Sequence, residues 1–199
     1  MNKKDFIKFV KNHLKEYDIK LVITKGYNIY DGGNACGGYF NESDKILKVS
    51  GKAYRWFEIL CHEYCHFLQF VEDSQFNVNF NEKTDNWDEW LAGEVELPQR
   101  HIHNKYMAMR NIEIDCEKRT VELIKKYGLP INIKRYIQRA NAYLFFLAYV
   151  KKHRKWVNKV ETGDKRFVKL VPKRFMNNFN DYNRMPKGFE ELINKIDKE

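Results

Sequence analysis

The sequence predicts an α+β fold: a small mixed or antiparallel sheet near the N-terminus packed on helices, with a mainly helical, basic extension at the C-terminus. Two short runs of β-branched and apolar residues lie between turn signals in the first fifty residues. Beyond them, apolar residues recur at helical spacing through three long segments. Apolar side chains make up 43% of the 199 residues and no repeat or low-complexity tract interrupts them, so a packed core is expected rather than disorder. The length suits one domain, residues 1–130, with residues 131–199 as an extension packed on it.

Taken in order, residues 3–17 place Phe6, Ile7, Val10 and Leu14 on one helix face and lysines on the other. Residues 20–24 (Lys-Leu-Val-Ile-Thr) and 45–50 (Lys-Ile-Leu-Lys-Val-Ser) read as strands, and Asp31-Gly32-Gly33-Asn34 and Gly37-Gly38 between them read as turns. From 53 to 71 the helical period returns, with Phe57, Leu60, Tyr64, Phe67 and Leu68 as an apolar stripe. Residues 72–97 are polar apart from Trp87, Trp90 and Leu91 and predict a loop or short helix covering part of a site. A long helix follows over 99–127, closed by Gly128-Leu129-Pro130, and a third over 134–153 is apolar nearly all round and so expected to be buried.

Several classes are excluded. The longest apolar run, Ala142–Val150, is about half of what a bilayer-crossing helix needs. Lys8, Lys11, His13 and Lys15 break up any signal-peptide core. Cys36, Cys61, Cys65 and Cys116 are too few and irregular for a disulfide framework, and free thiols in a reducing cytoplasm fit them best.

Chemistry concentrates in His62-Glu63-Tyr64-Cys65-His66, an HExxH pentapeptide on the second expected helix. Imidazoles four residues apart leave one helix face roughly 6 Å apart, which suits two ligands of one tetrahedral Zn²⁺. Glu63, turned about 100° around the axis, can take a proton from water without ligating the ion. A third ligand is sought in Glu113-Ile114-Asp115-Cys116-Glu117. Glu113 and Glu117 share a helix face and Asp115 points away, so Glu113 as ligand with Glu117 supporting is the economical assignment, with Glu117 and Asp115 as alternatives. His101 and His103 are rivals whose spacing does not suit one helix face. Cys65 and Cys116 with the histidines would make a structural zinc site instead.

A strand, an HExxH helix and a second helix bearing a glutamate resemble the zincin metallopeptidases of gluzincin type, especially the minimal intracellular SprT-like and ImmA/IrrE-like kinds. The similarity covers roughly residues 20–127. Glu113 is followed by Cys116, Arg119, Thr120, Leu123 and Ile124, which match the small and aliphatic positions of those families' glutamate helix, with Arg119 replacing an aromatic. The resemblance implies zinc-dependent hydrolysis of a protein or peptide substrate in the cytoplasm. It also implies that Leu47, Lys48 and Val49 lie on an edge strand that pairs with extended substrate, and that Gly37 and Gly38 admit substrate backbone closely. A tyrosine, histidine or arginine commonly holds the oxyanion in such sites, and Tyr64, Tyr106 and Tyr136 are the tyrosine candidates.

Residues 125–188 hold 17 Lys and Arg against three acids, +14, whereas the whole chain is +9. Trp156, Phe167, Phe175 and Phe179 interleave the basic residues. Such separation is a footprint for a polyanion, with Lys151, Lys152, Arg154 and Lys155 as the expected nucleic-acid contacts. The rival to a peptidase is accordingly a non-enzymatic nucleic-acid-binding protein with a structural zinc.

Overall fold

The structure is a computed structural model that describes residues 1–31, 34–77 and 86–199. It is mixed α and β and divides into two compact units: Met1–Ser74 with Cys116–Ile131, and Gln75–Asp115 with Asn132–Glu199. The expected boundary at residue 130 thus gives way to one that assigns 75–115 to the C-terminal part. Packing gives the reason: Trp87, Trp90, Ile102 and Tyr106 belong to the same apolar cluster as Phe145, Phe146, Phe167 and Phe189.

In the first unit, helix α1 (Lys3–Glu16) begins where the Asn2 side chain accepts the Asp5 N–H at 3.0 Å, and it buries Phe6, Val10 and Leu14. Strands β1 (Lys20–Thr24), β2 (Ile29–Asp31), β3 (Asn34–Cys36), β4 (Gly38–Asn41) and β5 (Ile46–Ser50) follow. β2 and β3 pair as an antiparallel ribbon. The other three form a sheet in the order β1-β5-β4, with β5 parallel to β1 and antiparallel to β4. β5 is therefore central, and the expectation that Leu47, Lys48 and Val49 lie on an edge is overturned. Leu47 and Val49 are both 0% exposed, and so apolar a strand takes the covered middle position, leaving β1 and β4 as edges.

Helix α2 (Trp56–Val71) lies against β4 and β5. Its inner side buries Phe57, Leu60, Cys61, Tyr64, Cys65 and Phe67, and Phe6 of α1 meets the Phe57 and Tyr64 rings edge-on at 5.8 and 6.1 Å. Gly37 and Gly38 allow this close approach. A Cβ on Gly37 would stand 2.6 Å from Ile59 Cδ1; one on Gly38 would stand 2.5 Å from Ile59 Cγ2 and 3.1 Å from Glu63 Cγ. Their lack of a side chain accommodates α2 rather than a substrate, and Gly38 begins a strand instead of making a turn.

The second unit contains α3 (Trp87–Ala92), the 75–115 portion of α4 (Gln99–Tyr127), α5 (Ile133–His153), α6 (Lys165–Val168), a 3₁₀ turn at Phe179–Asn183 and α7 (Phe189–Lys198). Of the covering segment expected at 72–97, residues 78–85 lie outside the described residues, and Trp87–Ala92 is its short helix. The far end of α4 closes as the sequence predicts: Gly128 has φ +56°, and the Leu129 and Gly128 N–H groups bond the Ile124 and Lys125 carbonyls at 3.0 and 3.2 Å. Helix α5 is buried along most of its length. Its Asn141 ties down the irregular chain that follows, donating to the Pro172 and Arg174 carbonyls at 2.9 Å and accepting from the Tyr182 hydroxyl.

The basic residues at the end of α5 have intramolecular partners. Lys152 pairs with Glu190 at 2.8 Å, Lys155 with Asp197, and Arg154 with Glu96 and the Trp90 and Val95 carbonyls. Those carboxylates lie outside the 125–188 window, so the charge excess counted along the sequence is partly neutralised in space. No described helix is long and apolar enough to cross a membrane, and among the described residues no cysteine forms a disulfide.

Candidate metal centre

His62 and His66 leave α2 one turn apart, and their Nε2 atoms stand 3.1 Å from each other with the rings nearly perpendicular, at 87°. Two imidazole nitrogens at the usual Zn–N length of about 2.0–2.1 Å and a tetrahedral angle are separated by about 3.3 Å. The pair is already set at nearly that span.

What holds each ring decides which nitrogen is free for a metal. Gln69, 0% exposed and one turn beyond His66, presents Oε1 at 2.9 Å to His66 Nδ1. An amide oxygen only accepts, so Nδ1 carries the hydrogen and Nε2 keeps its lone pair. On His62 the Nδ1 side faces α4, with the Glu117 carboxylate at 3.6 Å and Cys116 Sγ at 3.5 Å. Glu117 is buried and acts as a charge neighbour that favours a proton on Nδ1. Cys116 is anchored separately, its Sγ donating to the His62 carbonyl at 3.3 Å.

The two imidazoles differ in charge for the same reasons. Burial, then the neighbouring His62, lowers the His66 pKa to about 3, so His66 is neutral at ordinary pH. For His62 burial acts downward, but Cys116 and Glu117 outweigh it, and the net shift is well above the usual imidazole value.

Cys65 and Cys61 stay thiols on the buried side of α2, burial being the first cause that raises each, Cys65 to about 12. Cys65 is thus removed from the expected Cys65–Cys116 pairing, while Cys116 remains beside the histidines.

Two sets of donor atoms lie within 4.8 Å of one another: His62 with His66 and Cys116, and His62 with Glu113 and Glu117. Comparison with known proteins finds no match among family models, curated proteins or solved structures. The chemistry of the site is therefore argued from its geometry alone.

His62 is common to both sets, and α4 carries Cys116 and Glu117 to it, with Glu113 one turn earlier on the same helix. Asp115 belongs to neither set. The donors are imidazoles, carboxylates and one thiol, a combination that suits a zinc-like ion far better than magnesium or calcium. Glu63 is 8% exposed, and its Cγ packs over Gly38, so β4 confines the stem of this side chain.

Of the candidate tyrosines, Tyr64 turns to α1, where its hydroxyl shares a 2.6 Å hydrogen bond with His13 Nδ1. Tyr106 and Tyr136 are buried in the second unit. His101 and His103 are exposed on α4, and His103 bonds Lys151. Sequence reasoning missed Gln69; its signal is an amide three residues after the second histidine, one turn along the same face.

Proposed function

We propose that this protein is a zinc-dependent peptidase of minimal zincin type. His62 and His66 hold the ion through Nε2, Glu113 completes the protein ligands, and Glu117 supports His62 from behind. The observation that carries this reading is the Nε2 pair at 3.1 Å, with His66 Nδ1 on the Gln69 amide oxygen and His62 Nδ1 beside the Glu117 carboxylate. Unliganded histidines on a solvated helix face need no such arrangement.

Zinc supplies a Lewis acid that polarises a carbonyl and brings the pKa of a water near 7 when bound. The chain's own part falls to Glu63, whose carboxylate takes the proton of the attacking water and returns it to the departing amine. Packing against β4 holds it there, where a mobile glutamate would lose most of the benefit of position. Gln69 and Glu117 keep the two histidines in the tautomers that leave Nε2 free.

Glu63→Gln tests the assignment. The variant should retain about one zinc per chain and lose peptide hydrolysis by about 10²–10⁴-fold. Hydrolysis at the parental rate in the variant would remove Glu63 from the mechanism. The structural-zinc alternative draws on Cys116, which forms one of the two donor sets with the histidines. It predicts that chelation unfolds the chain, whereas a catalytic ion leaves a folded, inactive protein.

A further inference from the structure

Arg110, on the second-unit portion of α4, is 0% exposed. A guanidinium buried to that degree ordinarily faces a carboxylate, because an unpaired charge away from water is costly. Arg110 instead donates to neutral oxygens: Nη1 to Asn183 Oδ1 at 2.7 Å and Nη2 to Asn111 Oδ1 at 3.1 Å. Its Nε is buried with no hydrogen-bond partner among the described residues, and the Tyr106 hydroxyl beside it has only the guanidinium for company.

Further basic groups gather where a counter-charge would be expected. The Arg110 guanidinium carbon lies 5.4 Å from the centre of the Tyr106 ring, and Lys151 Nζ, arriving from α5, lies 4.8 Å from the same centre. Lys151 Nζ also reaches His103 Nδ1 at 3.0 Å. His103, Tyr106 and Arg110 recur at helical spacing and share one face of α4. Among the described residues no carboxylate pairs with Arg110 or Lys151, in contrast to Lys152, Arg154 and Lys155 on the next turn. The strain registers on each group: burial and then Arg110 lower the Lys151 pKa, and burial, Lys151 and Arg110 lower that of His103.

From this cluster we infer that the second unit carries a binding site for a small tetrahedral oxyanion, inorganic phosphate or the phosphoryl group of a small monoester. The anion sits against Arg110, Lys151 and the Tyr106 hydroxyl. It supplies the missing negative charge and accepts from donors that otherwise have only neutral partners. Donors from separate positions on α4 and α5 suit four oxygens at tetrahedral angles better than one planar carboxylate. His103 and Asn183, the partners of Lys151 and Arg110, are exposed, so the cluster borders solvent on that side. The proposal does not depend on the peptidase reading.

The test is calorimetric titration and thermal melting of the full-length protein with inorganic phosphate, and separately with glycerol phosphate, against chloride at equal ionic strength. Each is run before and after chelation, so that an anion held by a metal registers as a difference. One saturable site per chain and a melting rise of about 5 °C at 10 mM phosphate are expected, unaffected by chelation. Lys151→Gln should weaken binding about tenfold or more, and Lys151→Arg should restore most of it. Arg110→Gln should abolish binding; if it does not fold, the partly exposed Lys151 variants still decide. Equal binding of the monoester shows a site open to an ester group, and binding of phosphate alone shows a closed one. No saturable binding of either, binding unchanged in Lys151→Gln, or binding lost on chelation overturns the proposal.

Discussion

Replacing Gln69 tests how the proposed site would hold a metal without touching a ligand. Gln69 Oε1 is the acceptor of the His66 Nδ1 hydrogen, at 2.9 Å in a fully buried position. Gln69→Leu keeps the volume close and removes the acceptor. The Nδ1–H is then buried without a partner, which costs about 1–3 kcal/mol, and the ring can relieve this by moving its hydrogen to Nε2, the atom that should bind zinc. Loss of such an outer partner typically lowers metal affinity by about 10–100-fold, or about 1.4–2.8 kcal/mol. Zinc affinity measured by chelator competition should fall by that factor, while far-UV circular dichroism shows the helices retained. Gln69→Glu supplies a stronger acceptor in the same place and should hold the affinity at or above the parental value. Zinc affinity within twofold of the parent in the leucine variant, or an equal fall in both variants, would refute the argument.

In the metal-free protein the depressed His66 pKa of about 3 makes stability fall with acidification, because the unfolded chain binds a proton there near pH 6.5 and the native site does not. His62, whose pKa is raised, is protonated in both states below 6.5 and contributes no slope there. Urea titrations between pH 6.5 and 5 should therefore show a slope approaching about 1.4 kcal/mol per pH unit more than His66→Ala, and parallel slopes would contradict the assignment. Gly38→Ala should cost about 1–3 kcal/mol in urea unfolding and reduce turnover, since its methyl would press on both Ile59 and Glu63; a variant of parental stability would mean α2 does not need that approach.

Periodicity carried much of the fold. The 99–127 helix and its Gly128 terminus were legible because a long amphipathic run ending in Gly-Leu-Pro has few alternatives. The position of β5 was not, because order within a sheet depends on which strands return beside which, and Leu-Lys-Val reads the same at an edge or in the middle. The unit boundary escaped for a similar reason: α4 is one unbroken helix in sequence, and only packing divides it near Cys116.

Within the site, His62, Glu63 and His66 are a local pattern that spacing alone reveals. The contacts of Glu117 and Cys116 required the fold, because Cys116 meets His62 across 54 positions of chain and Glu117 across one more. The basic stretch misled in the opposite direction. Lys152, Arg154 and Lys155 look free when counted along the chain, yet Glu190, Glu96 and Asp197 reach them from elsewhere in it. Lys151, indistinguishable from them in sequence, faces Tyr106 and His103 instead.

The central claim is that two imidazole nitrogens and a carboxylate oxygen hold one zinc ion. X-ray absorption at the zinc edge of the purified protein addresses it most directly. The account predicts about one zinc per chain, a shell of nitrogen and oxygen near 2.0–2.1 Å containing two imidazoles, and no sulfur. A sulfur shell near 2.3 Å would hand the site to Cys116, and a protein that takes up no zinc would contradict the account altogether.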